Sequence, residues 1–482
     1  MTLRQVDEIC FMSARELAES IRARDISAHE VMSAFLRQIE RVNPKINAIV
    51  AKLEDEKCLA LADEADRRLA RGDEIGPLHG LPFAFKDLDA AVGFPLTRGS
   101  RIFKDFMPAE DSVLVERLKR AGVIPIGKTN VSEFGMGSHT YNDVYGTTLN
   151  PYDLTKSAGG SSGGAGAALA AGLLPLASGS DLGGSLRNPA NFNNIVALRP
   201  TVGLVPSAPV ALPFLGFGVK GPMGRSVADV AFLLSAMAGA DPRDPACYPS
   251  DPSAFGKPLE RNLNNTRVAW CLDLGGLPLD RRVRGVLELQ RKTFTDLGCV
   301  VEDACPDWTD ADEIFLTIRA WYYWHTLGPL LEKHRQQMKA EAVWQIEAGS
   351  RLSGGDIANA MARQGELMER MRRFQEKYEF FLCAVNQVPP FEATIAWPRE
   401  VEGVKMETYI DWMKSAYWIT PTFCPATSVP AGFTADGLPV GIQIVGRYRG
   451  DLGVLQIAQA FEQATGFGRK HPIIASIASA SN

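Results

Sequence analysis

Nothing limits the fold of this sequence more than the stretch from Gly76 to about Gly239. Here short apolar runs (Leu81–Phe85, Val123–Ile126, Leu173–Ala177, Ile195–Leu198) alternate with turns rich in Gly, Ser and Asn. Such runs are too short for helices and read as strands buried on both faces; with helices between them they imply an α/β core. Upstream, Ser13–Glu16 and Ser27–Glu30 each spell S-x-x-E, a capping box that satisfies the free amides of a helix start. Val31, Phe35, Ile39 and Val42 then recur at helical spacing, and Asn43-Pro44 is expected to end that helix. From about Arg281 to Tyr378 the chain reads as helical, with an aromatic knot at Trp321-Tyr322-Tyr323-Trp324 that serves as core or as a pocket wall. Strand-like segments return at Phe380–Val388 and Pro439–Val445, after a Thr-Pro-Ala-rich stretch. No linker breaks this texture, so the expectation is one domain over 1–482: N-terminal helices to about 70, a core at about 76–240, a helical region at about 281–380, and the rest of the core at about 380–465.

With 46% apolar and 22% charged residues, disordered and fibrous classes are excluded. Fifty-one basic against 56 acidic side chains argue against a nucleic-acid-coating surface. No apolar run has the length of a membrane span, and Met1–Glu8 lacks the apolar core of a secretory signal, so a cytoplasmic location is expected. Eight scattered cysteines, with no C-x-x-C, read as reduced thiols filling core positions. Six dispersed histidines and no H-E-x-x-H give no metal site.

Three motifs compete for the chemistry. Gly122-Val-Ile-Pro-Ile-Gly127-Lys128-Thr129 matches a phosphate loop, but its middle residues look like a buried strand and Pro125 has no N–H to offer an anion. Gly159-Gly160-Ser161-Ser162-Gly163 matches the nucleophile elbow of α/β-hydrolases, yet mostly polar residues precede it. The histidines C-terminal to it are His325, His334 and His471, and the last two lie among charges.

The third candidate joins three segments: Gly80-Leu-Pro-Phe-Ala-Phe85-Lys86-Asp87, Gly159-Gly-Ser161-Ser162-Gly-Gly164, and Ser178-Gly-Ser-Asp181-Leu-Gly183-Gly184-Ser185-Leu-Arg187. Lys86 follows an apolar run, and burial disfavours its charged form. A base near neutrality requires a fall of roughly three units from about 10.4, or about 4 kcal/mol. Taken alone, Lys86 can equally be a structural partner of Asp87. Leu182, Gly183, Gly184 and Ser185 can aim successive amides at one point, an oxyanion hole.

Together these segments resemble the amidase signature family. The G-G-S-S-G-G core, the G-G-S-L-R element and the upstream G-x-P-x-x-x-K-D are its marks, and Gly127-Lys-Thr-Asn130, Asn150-Pro151, Leu198-Arg-Pro-Thr201 and Gly437–Gly446 extend the likeness to about residue 465. The resemblance implies a large mixed twisted sheet covered by helices on both faces. It implies amide hydrolysis through an acyl-enzyme on Ser185, with a proton relay through Ser161 to Lys86. It also implies a cis peptide before Ser161, support from Ser162 and an Asp181–Arg187 ion pair, and a substrate-facing loop at Gly135-Met136-Gly137. No metal or organic cofactor is implied. The partner is a small-molecule amide, apolar or aryl, with homodimerisation as a family trait. The chain departs from the pattern at Asn193, Asn194 and Ala197, and at Arg199, where lysine is common. Two other readings are an amidotransferase A-type subunit releasing ammonia for tRNA-dependent amidation, and an inactive binding protein on the same fold.

Overall fold

In the computed structural model, which describes residues 8–475, both capping boxes form. Ser13 starts the helix Ala14–Ala23 and Ser27 the helix Ala28–Ile46, whose Val31, Phe35, Ile39 and Val42 are all buried. That second helix overruns the expected stop, with Pro44 inside its last turn. Proline there forfeits only one hydrogen bond, to the carbonyl of Glu40, which is an exposed residue. The side chain of Asn43 then ends the helix by accepting from the amides of Ala48 (3.0 Å) and Ile49 (2.8 Å).

Two sheets organise the rest, with strands numbered in chain order. β1 (Ile49–Val50), β2 (Pro82–Lys86) and β3 (Ile124–Thr129) form a small sheet of order β1-β3-β2, with β2 and β3 parallel. Eight further strands follow: β4 (Leu176–Asp181), β5 (Val196–Arg199), β6 (Val219–Gly224), β7 (Arg267–Trp270), β8 (Val300–Asp303), β9 (Phe380–Ala384), β10 (Ala426–Phe433) and β11 (Pro439–Gly446). Their order is β8-β7-β9-β11-β10-β5-β6-β4. β7 runs parallel to β8 and β9, and every other pairing is antiparallel, so the sheet is mixed.

Side-chain alternation along β9 shows how the large sheet is covered. Phe380, Leu382 and Ala384 enter one apolar core, shared with the helices Ala28–Ile46, Val227–Met237 and Asp451–Thr465. Phe381 and Cys383 enter a second, under Ala311–His334 and Gly354–Lys377. A period of two feeding two cores places helices on both faces. This is the fold the sequence resemblance implied.

Five strands of the two sheets, β1, β6, β7, β8 and β10, are not among the runs read from the sequence. β10 lies in the Thr-Pro-Ala-rich stretch and tolerates Pro430 at a break in register between Pro430 and Gly432. β8 sits inside the region read as helical. The cysteine reading needs correction too: Cys271 and Cys305 are disulfide-bonded, and the other six take part in no disulfide among the described residues. The bridge joins residues just past the C-terminal ends of parallel neighbours β7 and β8, where the register brings their Cα atoms to 5.3 Å. No helix among the described residues is long and apolar enough to cross a membrane.

Candidate active site

β2 delivers Lys86 into the interior, where it is fully buried. Its Nζ lies 2.9 Å from Ser161 Oγ, 2.7 Å from Ser162 Oγ and 2.9 Å from Ser180 Oγ, with the Ser180 carbonyl at 3.5 Å. Asp87 is not its partner, because that carboxylate accepts from the Thr97 amide (3.1 Å), the Thr97 hydroxyl and the Gly99 amide (3.4 Å). Desolvation, reinforced by the positive charge of Lys220, brings the Lys86 pKa down to about 7. An amine in this setting is neutral in a large fraction of molecules at physiological pH.

Ser161 and Ser162 reach Lys86 because the chain before the helix Gly163–Ala170 is built from glycine. A Cβ on Gly164 would sit 2.3 Å from the amide nitrogen of Asn130, so only glycine lets that helix start so close to the β3 end. The Gly160–Ser161 peptide is cis. Both serines are buried.

The loop after β4 carries Ser185, which is 8% exposed and whose hydroxyl has no hydrogen-bond partner among the described residues. Asp181 shapes this loop. Its carboxylate accepts from the amides of Gly184 (2.8 Å) and Leu186 (3.2 Å), from Arg187 Nε and Nη2 (3.0 Å each), and from Arg199 Nη1 (3.2 Å). All three charged side chains are fully buried. Burial alone would raise the Asp181 pKa; the two guanidinium groups outweigh that and hold it well below the usual carboxylate range. Gly184 has φ +111°, and a Cβ there would meet Asn188 at 2.6 Å and Ala416 at 2.7 Å.

The expected anion-binding amides are partly redistributed. The Gly184 N–H is spent on Asp181 and leaves the set. The amides of Leu182, Gly183 and Ser185 find no acceptor among the described residues. The loops of Ser185 and Ser161 are joined through Asn188, whose Nδ2 donates to Ser138 Oγ (2.7 Å), which donates to the Gly160 carbonyl (2.5 Å).

Two cavities flank these loops. One of about 70 Å³ borders Leu182 and is walled by Val205, Val210, Leu212, Leu215 and Tyr322, with Ser207 and Asp244 also in its lining. The other, of only about 10 Å³, borders Gly137 and Ser138, with Tyr141, Lys339, Tyr409 and Trp412 around it. The aromatic knot thus divides its work: Tyr322 lines the larger cavity, while Tyr323 packs with Phe134 and Met136. In the loop read as substrate-facing, Gly135 adjoins Ser161 Oγ, Met136 is fully buried and Gly137 adjoins Tyr409.

The competing motifs fare poorly. Ile124–Thr129 is strand β3, and Lys128 turns inward to donate to the Asp89 carbonyl. Ser161 has Lys86 as its partner, not a histidine. His139, which sequence reasoning passed over, bonds Ser157 and the Ala393 carbonyl, and burial lowers its pKa to about 4. No group of three or more His, Cys, Asp or Glu that could hold a metal ion occurs among the described residues.

Sequence reasoning also passed over Ser180 and the function of Arg199. Ser180 lies on β4, past the end of the apolar run, and only the packing of β2 beside β4 shows that Lys86 meets it. The departures from the family pattern are absorbed locally. Asn193 Nδ2 donates to the carbonyls of Ala158 and Pro189 (2.7 Å each), and Asn194 Nδ2 to that of Phe467 (2.9 Å).

This geometry has counterparts among known proteins. An acylamidase of Rhodococcus erythropolis is 36% identical over 470 residues, covering 96% of this chain and 97% of that protein. The A-type component of the glutamyl-tRNA(Gln) amidotransferase of Ralstonia nicotianae is 32% identical over 499 residues, covering 95% of this chain and 98% of that component. The crystal structure of a bacterial aryl acylamidase of the amidase signature enzymes superposes with a TM-score of 0.89 at 28% identity, covering 97% of this chain and 99% of that one. The amidase family pattern itself matches residues 30–455, which takes in β2, both glycine-serine loops and most of the large sheet. The chain belongs to the amidase signature family, whose members hydrolyse amides.

Proposed function

We propose that this chain, acting as one amidase domain over residues 1–482, hydrolyses a small apolar or aryl carboxylic amide through an acyl-enzyme on Ser185. The observation that carries this reading is Lys86 Nζ, buried without a carboxylate partner among the described residues and ringed by three serine hydroxyls. Neutral Lys86 takes a proton from Ser161 Oγ, which takes one from Ser185 Oγ as that oxygen attacks the carbonyl carbon. The tetrahedral oxyanion faces the free amides of Leu182, Gly183 and Ser185. The relay then returns the proton to the leaving nitrogen, the C–N bond breaks, and the amine departs. Water attacks the ester with the same relay accepting its proton, freeing the acid and restoring Ser185. No step calls for a metal or organic cofactor. The largely apolar cavity beside Leu182 supports an apolar acyl or aryl group.

The base must be neutral to act, so kcat/KM is expected to fall about tenfold per unit of pH below the Lys86 pKa of about 7, and to level off above it. A pH profile on the best amide from an aliphatic and aryl panel, read as ammonia or amine release, checks this. A flat profile across neutrality removes the lysine base. Identity to the acylamidase exceeds that to the amidotransferase component, which favours a self-sufficient enzyme. The purified chain alone is therefore expected to turn over amides, and silence without partner proteins would favour the amidotransferase reading. A fluorophosphonate probe mapped by mass spectrometry is expected to label Ser185; no labelling at any serine would favour the inactive binding protein.

A further inference from the structure

The relay leaves one charged pair beside it unexplained. Lys220 lies on β6, directly opposite Ser180 in the antiparallel register with β4. Residues so paired project from the same face, so the Lys220 side chain runs alongside the hydroxyl that touches Lys86. Its ammonium is held by Asp89 Oδ1. Asp89 is in turn fixed to the base, its amide donating to the Lys86 carbonyl at 2.9 Å in the turn that follows β2. The Asp89 side chain is 1% exposed and that of Lys220 17%, so water screens this pair little. Asp89 Oδ2 has no partner among the described residues, which leaves Lys220 as the side chain that satisfies this carboxylate.

Resting on the relay proposed above, we propose that Lys220 is a positioning residue for the reaction, a fixed positive charge held by Asp89 against the Ser180 side of the relay that biases Lys86 toward its neutral amine. A second positive charge at Lys86 would be repelled by Lys220, while the Asp89 carboxylate draws the other way. The remaining charged groups nearby are Asp181 at the end of β4, which acts on Lys86, and Lys128 on β3, which donates to the Asp89 carbonyl. Lys128 in turn faces Asp87 and Asp111. None of these carries a positive charge onto the Ser180 face of Lys86 as Lys220 does.

The test is the rate of fluorophosphonate inactivation followed across neutral pH, which needs no knowledge of the physiological amide. Lys220→Gln keeps a donor for Asp89 but removes the charge, and should raise the midpoint of the acid limb by about one pH unit. Near neutrality that slows inactivation about fivefold. Asp89→Asn should move the midpoint the other way, and Lys220→Arg, which keeps the charge, should leave it where the wild type has it. Thermal melts identify the folded variants. General loosening of the site would not move two variants in opposite directions. A folded Lys220→Gln with an unmoved midpoint, or both variants shifting the same way, overturns the proposal. If the wild-type limb is present and vanishes in Lys86→Met, the relay stands whatever Lys220 does. If there is no such limb, the relay and this inference fall together.

Discussion

Ser185→Ala is expected to slow turnover of any amide the enzyme cleaves by ~10⁴-fold or more, the scale seen when a nucleophile is removed from a catalytic serine unit. The fold should barely notice. The Ser185 hydroxyl has no hydrogen-bond partner to lose among the described residues, so the change in stability should stay within about 0.5 kcal/mol. Lys86→Met should cost about 10²–10⁴-fold as a lost general base, with some loss of stability because three hydroxyls, those of Ser161 and Ser162 buried, lose their common partner. Groups that act as one unit are not additive, so the double variant should be scarcely slower than Ser185→Ala alone. Steady-state kinetics on one amide with all three proteins decides the matter. Near-wild-type rates in Ser185→Ala would remove the acyl-enzyme, and fully additive losses would mean that Lys86 and Ser185 do not share a step.

The second large effect concerns stability. Asp181→Ala should destabilise the protein by about 3–5 kcal/mol, because it leaves the guanidinium groups of Arg187 and Arg199 buried without a counter-charge. That is a large share of the ~5–15 kcal/mol that typically separates folded from unfolded chains. The carboxylate is ionised well below the usual range in the folded state, so its contribution is complete at any pH above the ordinary carboxylate pKa. It fades only as pH falls toward the depressed folded value. Denaturant melts of Asp181→Ala and Ser185→Ala at neutral pH compare the two directly. Equal midpoints would show that the charged cluster is not what holds the nucleophile loop.

Much of this molecule is legible in its sequence because the relevant signals are local. A capping box needs four consecutive residues, and both boxes stand where the sequence places them; a buried strand announces itself as an apolar run, as Pro82–Lys86 does, although the run Leu173–Ala177 foreshadows a strand that is shifted to Leu176–Asp181. The serines stand out because glycine and serine cluster densely around them, and Lys86 because it follows an apolar run. What escapes depends on register and packing. β10 is hidden because proline in an interior strand argues against one, and only the local break at Pro430 makes it tolerable. The Cys271–Cys305 bridge requires knowing that β7 and β8 are parallel neighbours. Arg199 reads as a deviation from a lysine, yet its longer planar head reaches both the Asp181 carboxylate and the Phe217 carbonyl (3.1 Å).

The ring of hydroxyls around Lys86 has a consequence for which way protons travel. A neutral amine owns two N–H bonds and a single lone pair. With three hydroxyl oxygens at 2.7 to 2.9 Å, at most two can receive its protons and one can give to its lone pair. Ser162 and Ser180 occupy the receiving places in the arrangement that leaves the lone pair on Ser161. In the relay proposed above, that arrangement makes Ser161 the one hydroxyl through which a proton passes between Lys86 and Ser185.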